Sequence, residues 1–205
     1  MEEYLVPTGF GEDEFVEKKS RFLGRVWPAD TEAEALAHIE EMRKQHYDAT
    51  HNCWAYIIRD GATRFSDDGE PGGTAGMPMV QVLQKEGLYN IVCVVTRYFG
   101  GVLLGTGGLV RAYTTATSRA LEAAEVVTVR SVVALDVTVD YGLYERADLL
   151  IKAAGGKLAE PEFTDKVTLR WQMPEHTEGP LLTQLQELTR GTANVTVSEP
   201  FYAAF

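Results

Sequence analysis

The sequence predicts an α+β protein of two domains, and three observations lead there. Apolar runs with strand-like alternation are interleaved with stretches of helical spacing along all 205 residues. Glycine- and proline-rich punctuation is concentrated in the first half, in "SDDGEPGGTAGMP" (66–78) and "GGVLLGTGG" (100–108). After Val126 the pattern restarts and then runs strand, helix, strand, strand, helix, strand to the end. The expected domains are 1–130 and 131–205, with the boundary near Thr128 to Val132.

In the first half, residues 15–26 read as a short extended segment with a basic cluster at Lys18, Lys19 and Arg21. A helix follows over "PADTEAEALAHIEEMRKQH". Thr31 and Glu34 have the spacing of a capping box, Leu36, Ile39 and Met42 keep helical spacing, and Arg43 and Lys44 suit the C-terminal dipole. "HNCWAYII" (51–58) reads as a strand with His51, Cys53 and Ala55 on one face and Asn52, Trp54 and Tyr56 on the other. Residues 66–78 cannot be regular, and a short helix is expected over 80–86. "NIVCVVTRYF" (90–99) is a β-branched buried strand, 100–108 breaks it, and a helix runs from about Leu109 to Ala124 with Tyr113, Ala116 and Ala120 inward.

In the second half, "VVALDVTVD" alternates as a strand, and "YGLYERADLLIKAAGG" is a helix closed by glycines. "KLAEPEFT" and "KVTLRWQM" are two strands around a turn at Asp165. A helix follows with Leu181, Leu182, Leu185 and Leu188 inward, and "TANVTVSEPF" is the last strand. This β-α-β-β-α-β succession is the ferredoxin-like order.

Composition narrows the function. Hydrophobic residues make up 45% of the chain, ordinary for a packed protein. No stretch approaches the roughly 18 apolar residues of a membrane helix, and the acidic first ten residues do not read as a signal peptide. A cytoplasmic protein without membrane partners is expected. The net charge of −11 disfavours nucleic-acid binding by global charge, so a nucleic-acid partner needs a local basic patch, and no DNA specificity is expected. Cys53 and Cys93 are too few for a disulfide scaffold and read as reduced core thiols.

Chemistry concentrates between residues 51 and 111. Gly100, Gly101, Gly105, Gly107 and Gly108 lie between a buried strand and a helix, flanked by Arg97 and Arg111. Backbone N–H groups at a helix start, with two arginines near, suit a phosphate or other anion. The same glycines also serve tight turns and close helix packing, and no Walker or G-x-G-x-x-G pattern is present. Asp67, Asp68 and Glu70 form an acidic loop expected to be exposed and to share one groove with the glycines. It reads as a solvated turn, a weak site for a divalent cation, or an acid/base contact. His51 and Asn52 are polar candidates for the same groove. Lys18, Lys19, Arg21 and Arg64 are further candidates for an anion or nucleic-acid contact. A Cys53–His51 nucleophile pair is conceivable on strand spacing, but no set of nucleophile, base and orienter is recognisable, so catalytic residues, metal and cofactor are all expected to be none.

"ATHNCWAY", "RFSDDGEPGGTAGMP", "VVTRYFGG" and "LGTGGLVRAY" follow one another in order, and together the chain resembles the Impact (YigZ) family over its whole length. The resemblance implies that the first domain has the α/β sandwich fold of a small-subunit ribosomal protein, shared with domain four of elongation factor G and the GHMP kinases. It implies that the second resembles another elongation factor G domain. Eukaryotic members carry an added N-terminal RWD domain and regulate translation by competing for an activator of a stress kinase. This chain begins directly at the Impact-type domain, so that role is not carried over. What the resemblance implies is a translation-related binding protein contacting RNA, the ribosome or a phosphate-bearing ligand. The alternatives are an enzyme on a small phosphorylated substrate and a pure protein-interaction regulator.

Overall fold

A computed structural model describes residues 3–205, which divide into two compact units, Tyr4–Thr128 and, with Glu3, Val129–Phe205. The first holds β1 (Tyr4–Pro7), β2 (Gly11–Glu17), β3 (Ser20–Pro28), α1 (Glu32–Gln45), β4 (His51–Ile57), β5 (Thr63–Ser66), α2 (Gly76–Lys85), β6 (Ile91–Tyr98) and α3 (Thr106–Glu122). Then β7 (Val126–Val139) leads into α4 (Tyr141–Ala153), β8 (Lys157–Leu158), β9 (Glu162–Phe163), β10 (Val167–Pro174), α5 (Gly179–Leu188), β11 (Val195–Val197) and β12 (Phe201–Ala204).

The N-terminal unit is a five-stranded antiparallel sheet, ordered β2-β3-β6-β4-β5, between two helical layers. Alternation sorts the strands. Cys53, Ala55, Cys93 and Val95 face α2 and α3, whereas Tyr56, Val92 and Val94 face α1. Helix α1 starts as its sequence says: Thr31 Oγ1 accepts from the Glu34 N–H at 3.2 Å. Helix α3 lies directly on β2 and β3. A Cβ on Gly24 would sit 2.4 Å from the Ala116 carbonyl oxygen, and one on Gly11 would sit 2.3 Å from that of Ala120. Glycine on the strands opposite an alanine stripe thus brings α3 close and fixes where its first turn emerges.

Several expectations change. Residues 15–26 are not one extended segment but parts of a hairpin, β2–β3, turning at Lys18 and Lys19 with φ of 46° and 67°. Two consecutive left-handed residues make the turn of the type that matches strand twist, for which Asn-Gly is the usual choice. Each lysine there costs roughly 1–2 kcal/mol in backbone strain. Helix α2 starts at Gly76, within the segment read as irregular, because the Asp67 carboxylate supplies acceptors for its first N–H groups. Helix α3 starts at Thr106, not Leu109, so Gly107 and Gly108 belong to its first turn. Burial of Leu109, Ala112 and Tyr113 outweighs the low helix propensity of Gly107 and Gly108.

In the C-terminal unit β7 pairs antiparallel with β10 and with β11, and β10 pairs with β8, so the four main strands lie in the order β11-β7-β10-β8. Helices α4 and α5 bury Ile151, Leu181 and Leu185 against Leu135, Val137, Leu169 and Trp171. Helix α4 closes on glycine as expected: Gly155 has φ 81° and the Gly156 N–H donates to the Ile151 carbonyl. The second and last strands are each split, into β8 and β9 and into β11 and β12.

Candidate functional site

Where β6 ends and α3 begins, the N-terminal unit has a cleft of about 400 Å³. Its floor is the sheet, its walls are the loops around 69–71 and 99–105, and Gly105 and Thr106 form its rim. Register puts Phe22 and His51 on either side of Arg97 across the strands, all on the α3 face.

Arg97 is buried, not free as a loop-flanking arginine would be. Its Nη1 donates to Glu70 Oε1 at 2.7 Å and its Nη2 to Ser20 Oγ at 3.2 Å, while Nε, also buried, has no acceptor. Glu70 is 3% exposed, against the expectation of a solvated acid. The Tyr113 hydroxyl donates to the same Oε1 at 2.7 Å. A pair so enclosed stands only because each charge has its partner. His51 donates from Nδ1–H to the Asp68 carbonyl oxygen at 2.8 Å, and its Nε2 lies 3.6 Å from Glu70 Oε2.

The other acids of the loop are committed to the backbone. Asp67 Oδ1 accepts from the Ala75 and Gly76 N–H groups and Oδ2 from that of Gly73, and Asp68 Oδ2 accepts from the Asn52 N–H at 2.6 Å. Both are partly buried rather than exposed, and among the described residues no three His, Cys, Asp or Glu side chains are grouped to hold a metal ion. Cys53 Sγ lies 3.0 Å from the Asp67 carbonyl oxygen and 3.3 Å from the Tyr113 hydroxyl. Burial pushes the Cys53 thiol far up, and that of Cys93 up to about 12, so both stay protonated and the His51–Cys53 pair is not an ion pair poised for attack. The same desolvation raises Tyr113 and keeps it a donor.

Helix α3 has no side-chain cap. Gly105 precedes it at φ 76°, ψ 166°, a conformation essentially limited to glycine, and the first-turn N–H groups lack intrahelical partners. Phe99 and Leu103 stand exposed beside them. The structure therefore brings together Arg97, Glu70, His51, Gly105 and the start of α3. It does not bring Asn52, Arg64 or Arg21 there. Asn52 bonds Thr96 and His46 on the α1 face, Arg64 reaches Glu32 at the start of α1, and Arg21 is paired with Glu14. Lys18 and Arg111 line a separate cavity of about 330 Å³ with Gly108. Gly100 is a packing device: a Cβ there would lie 2.0 Å from the Lys19 carbonyl carbon. Gly101, at φ 84°, turns the loop.

Sequence reasoning missed Ser20, Tyr113, Phe99 and Leu103. Tyr113 stood in the inward stripe, and its hydroxyl among alanines was the available signal. Another cavity, of about 570 Å³, lies on the C-terminal sheet by Asp136 and Arg170, which are engaged by Thr196 and Glu162, so it offers less chemistry than the cleft.

A two-domain α+β protein whose site is a glycine-built helix start beside a buried Arg–Glu pair is the class defined here. Comparison with known proteins makes it particular. Residues 18–121 match the Impact N-terminal domain, and residues 137–192 match a domain of unknown function. The chain is 36% identical over 204 residues to the IMPACT family member YvyE of Bacillus subtilis, covering 98% of this chain and 94% of that one. It is 34% identical over 205 residues to the IMPACT family member YigZ of Escherichia coli, covering 97% of this chain and all of that one. A solved structure described as that of a hypothetical protein matches with a TM-score of 0.60 at 33% identity, over 97% of this chain and 98% of that one. The chain belongs to the Impact family. Among the described residues no helix is long and apolar enough to cross a membrane.

Proposed function

We propose that this chain is a non-enzymatic binding protein of the cytoplasm, acting in translation, whose cleft takes a phosphate-bearing nucleotide of RNA or of a ribosome-associated partner. The finer fold assignments belong to the same reading: a ribosomal-protein-like sandwich of the elongation factor G domain four type, followed by a ferredoxin-like domain. The observation that carries the ligand class is the pairing of an uncapped helix start with exposed Phe99 and Leu103 on one cleft. The N–H groups suit a phosphate and the apolar wall suits a base. Arg97 contributes a hydrogen-bonding surface rather than net charge, because Glu70 neutralises it.

Fluorescence anisotropy with short single-stranded RNA tests the reading. Binding should weaken with salt, and Phe99→Ala should reduce affinity at least fivefold, in line with about 1–3 kcal/mol per stacked base, with a smaller loss for Leu103→Ala. No binding to RNA, mononucleotides or ribosomal subunits would leave a protein partner as the better account. One observation favours a second reading, an enzyme on a small phosphorylated substrate: His51 Nε2 borders the cleft next to a buried carboxylate. Turnover of a phosphorylated substrate that His51→Gln abolishes would establish it.

A further inference from the structure

We propose that the ligand is a nucleic-acid strand of at least two nucleotides, whose second phosphate is held by Lys18 and Arg111 in a separate basic cavity across the first turn of α3. This rests on the reading of the cleft just given. The two cavities share one wall, Leu104. The cleft reaches Gly105 and Thr106, and the basic cavity reaches Gly108 and Arg111.

Arg111 stands apart from the other arginines of its unit. Arg21, Arg25, Arg43, Arg64, Arg97 and Arg119 each have a carboxylate partner, and Arg59 lies over the rings of Tyr4 and Tyr89. Among the described residues Arg111 has neither a carboxylate nor a ring, though the chain carries 30 acids against 19 bases. Lys18 is likewise unpaired among the described residues. Glu17 is the one carboxylate lining the cavity, which leaves it one net positive charge.

The second observation is the turn itself. Lys18 and Lys19 both hold left-handed backbone, which sets two basic residues side by side at the tip of the β2–β3 turn. The tip is also fixed in place. It backs onto Gly100, where even a Cβ would collide with Lys19, so Lys18 is held by the loop that leads into α3. Lys18 on this turn and Arg111 on α3, neither with a carboxylate partner among the described residues, fit a phosphate of the ligand. A free mononucleotide has no group to place there once its phosphate sits at the start of α3.

Titration calorimetry at low salt, with adenosine monophosphate, adenosine diphosphate and the 5′-phosphorylated dinucleotide pApA, tests this on the full chain. The dinucleotide should bind about tenfold or more tighter than the monophosphate, and the diphosphate should not match it. Lys18→Asn and Arg111→Gln should each remove most of that gain, reduce the slope of log affinity against log salt by about 0.7, and leave the monophosphate unchanged. Lys18→Asn suits the turn, so its melting midpoint should not fall, which separates lost charge from lost fold. Equal affinity for monophosphate and dinucleotide, a diphosphate as tight as the dinucleotide, or a gain that survives both substitutions overturns the second subsite while leaving the cleft reading intact. No binding by any of the three defeats both.

Discussion

Helices α2 and α3 cover the same face of one sheet and begin in opposite ways. At α2, Asp67 accepts from the Ala75 and Gly76 N–H groups with one carboxylate oxygen and from Gly73 with the other, so the positive end of the helix is filled from within. At α3, a glycine stands where a capping side chain would be, and the first turn opens on a cleft walled by Phe99 and Leu103. The acidic loop that looks from sequence like surface is thus structural, and the glycines that look like turns leave a helix end unfilled. The two helix starts therefore differ in one respect: a carboxylate of the chain accepts from the first N–H groups of α2, and no side chain caps α3.

The largest way to break this contrast is through the pair that ties the loop to the sheet. Arg97→Ala would strand Glu70 in a buried site, and urea unfolding should show a loss of about 3–5 kcal/mol. The apolar double replacement Arg97→Met with Glu70→Leu should recover much of it. If the single change costs less than about 1 kcal/mol, the pair does not hold the loop.

Gly105→Ala tests the other helix start. At φ 76° and ψ 166° a side chain is strained, and thermal melts should show a loss of about 1–3 kcal/mol, with no gain from the better helix former. Asp67→Ala should cost about 1–2 kcal/mol and speed amide exchange at Ala75 and Gly76 while leaving that at Thr106–Gly108 unchanged. Equal acceleration at both helix starts would mean that the loop, not the cap, is the structural unit.

The smallest effect is the sharpest for the comparison. Millimolar inorganic phosphate should shift the amide resonances of Thr106, Gly107 and Gly108 and leave those of Ala75 and Gly76 in place, since the α2 end already has its acceptor. Shifts at both ends, or at neither, remove the distinction. The two cysteines provide a control: with both thiols held protonated and buried, a thiol reagent at pH 8 should label them only as fast as the chain unfolds.

Much of this was legible in the residues. The Thr31–Glu34 spacing gave the start of α1, the alternation from His51 to Tyr56 gave both faces of β4, and the restart after Val126 gave the second unit's succession of elements. These are local signals, carried by residues within a turn or a pleat of one another, so sequence alone determined them. So did the family motifs, which lie in order along the chain. What only the tertiary structure decided is which charge meets which. Glu70 and Arg97 are 27 residues apart, Ser20 is 77 from Arg97, and Asp67 caps a helix that starts nine residues later. No periodicity encodes such pairs. They follow from how β3, β4 and β6 align and where α3 settles on Gly11 and Gly24. That alignment buried Arg97, which sequence reasoning took as a free cation, and left Arg111 without a carboxylate partner among the described residues, because a charge is matched or left open by the groups that packing brings to it.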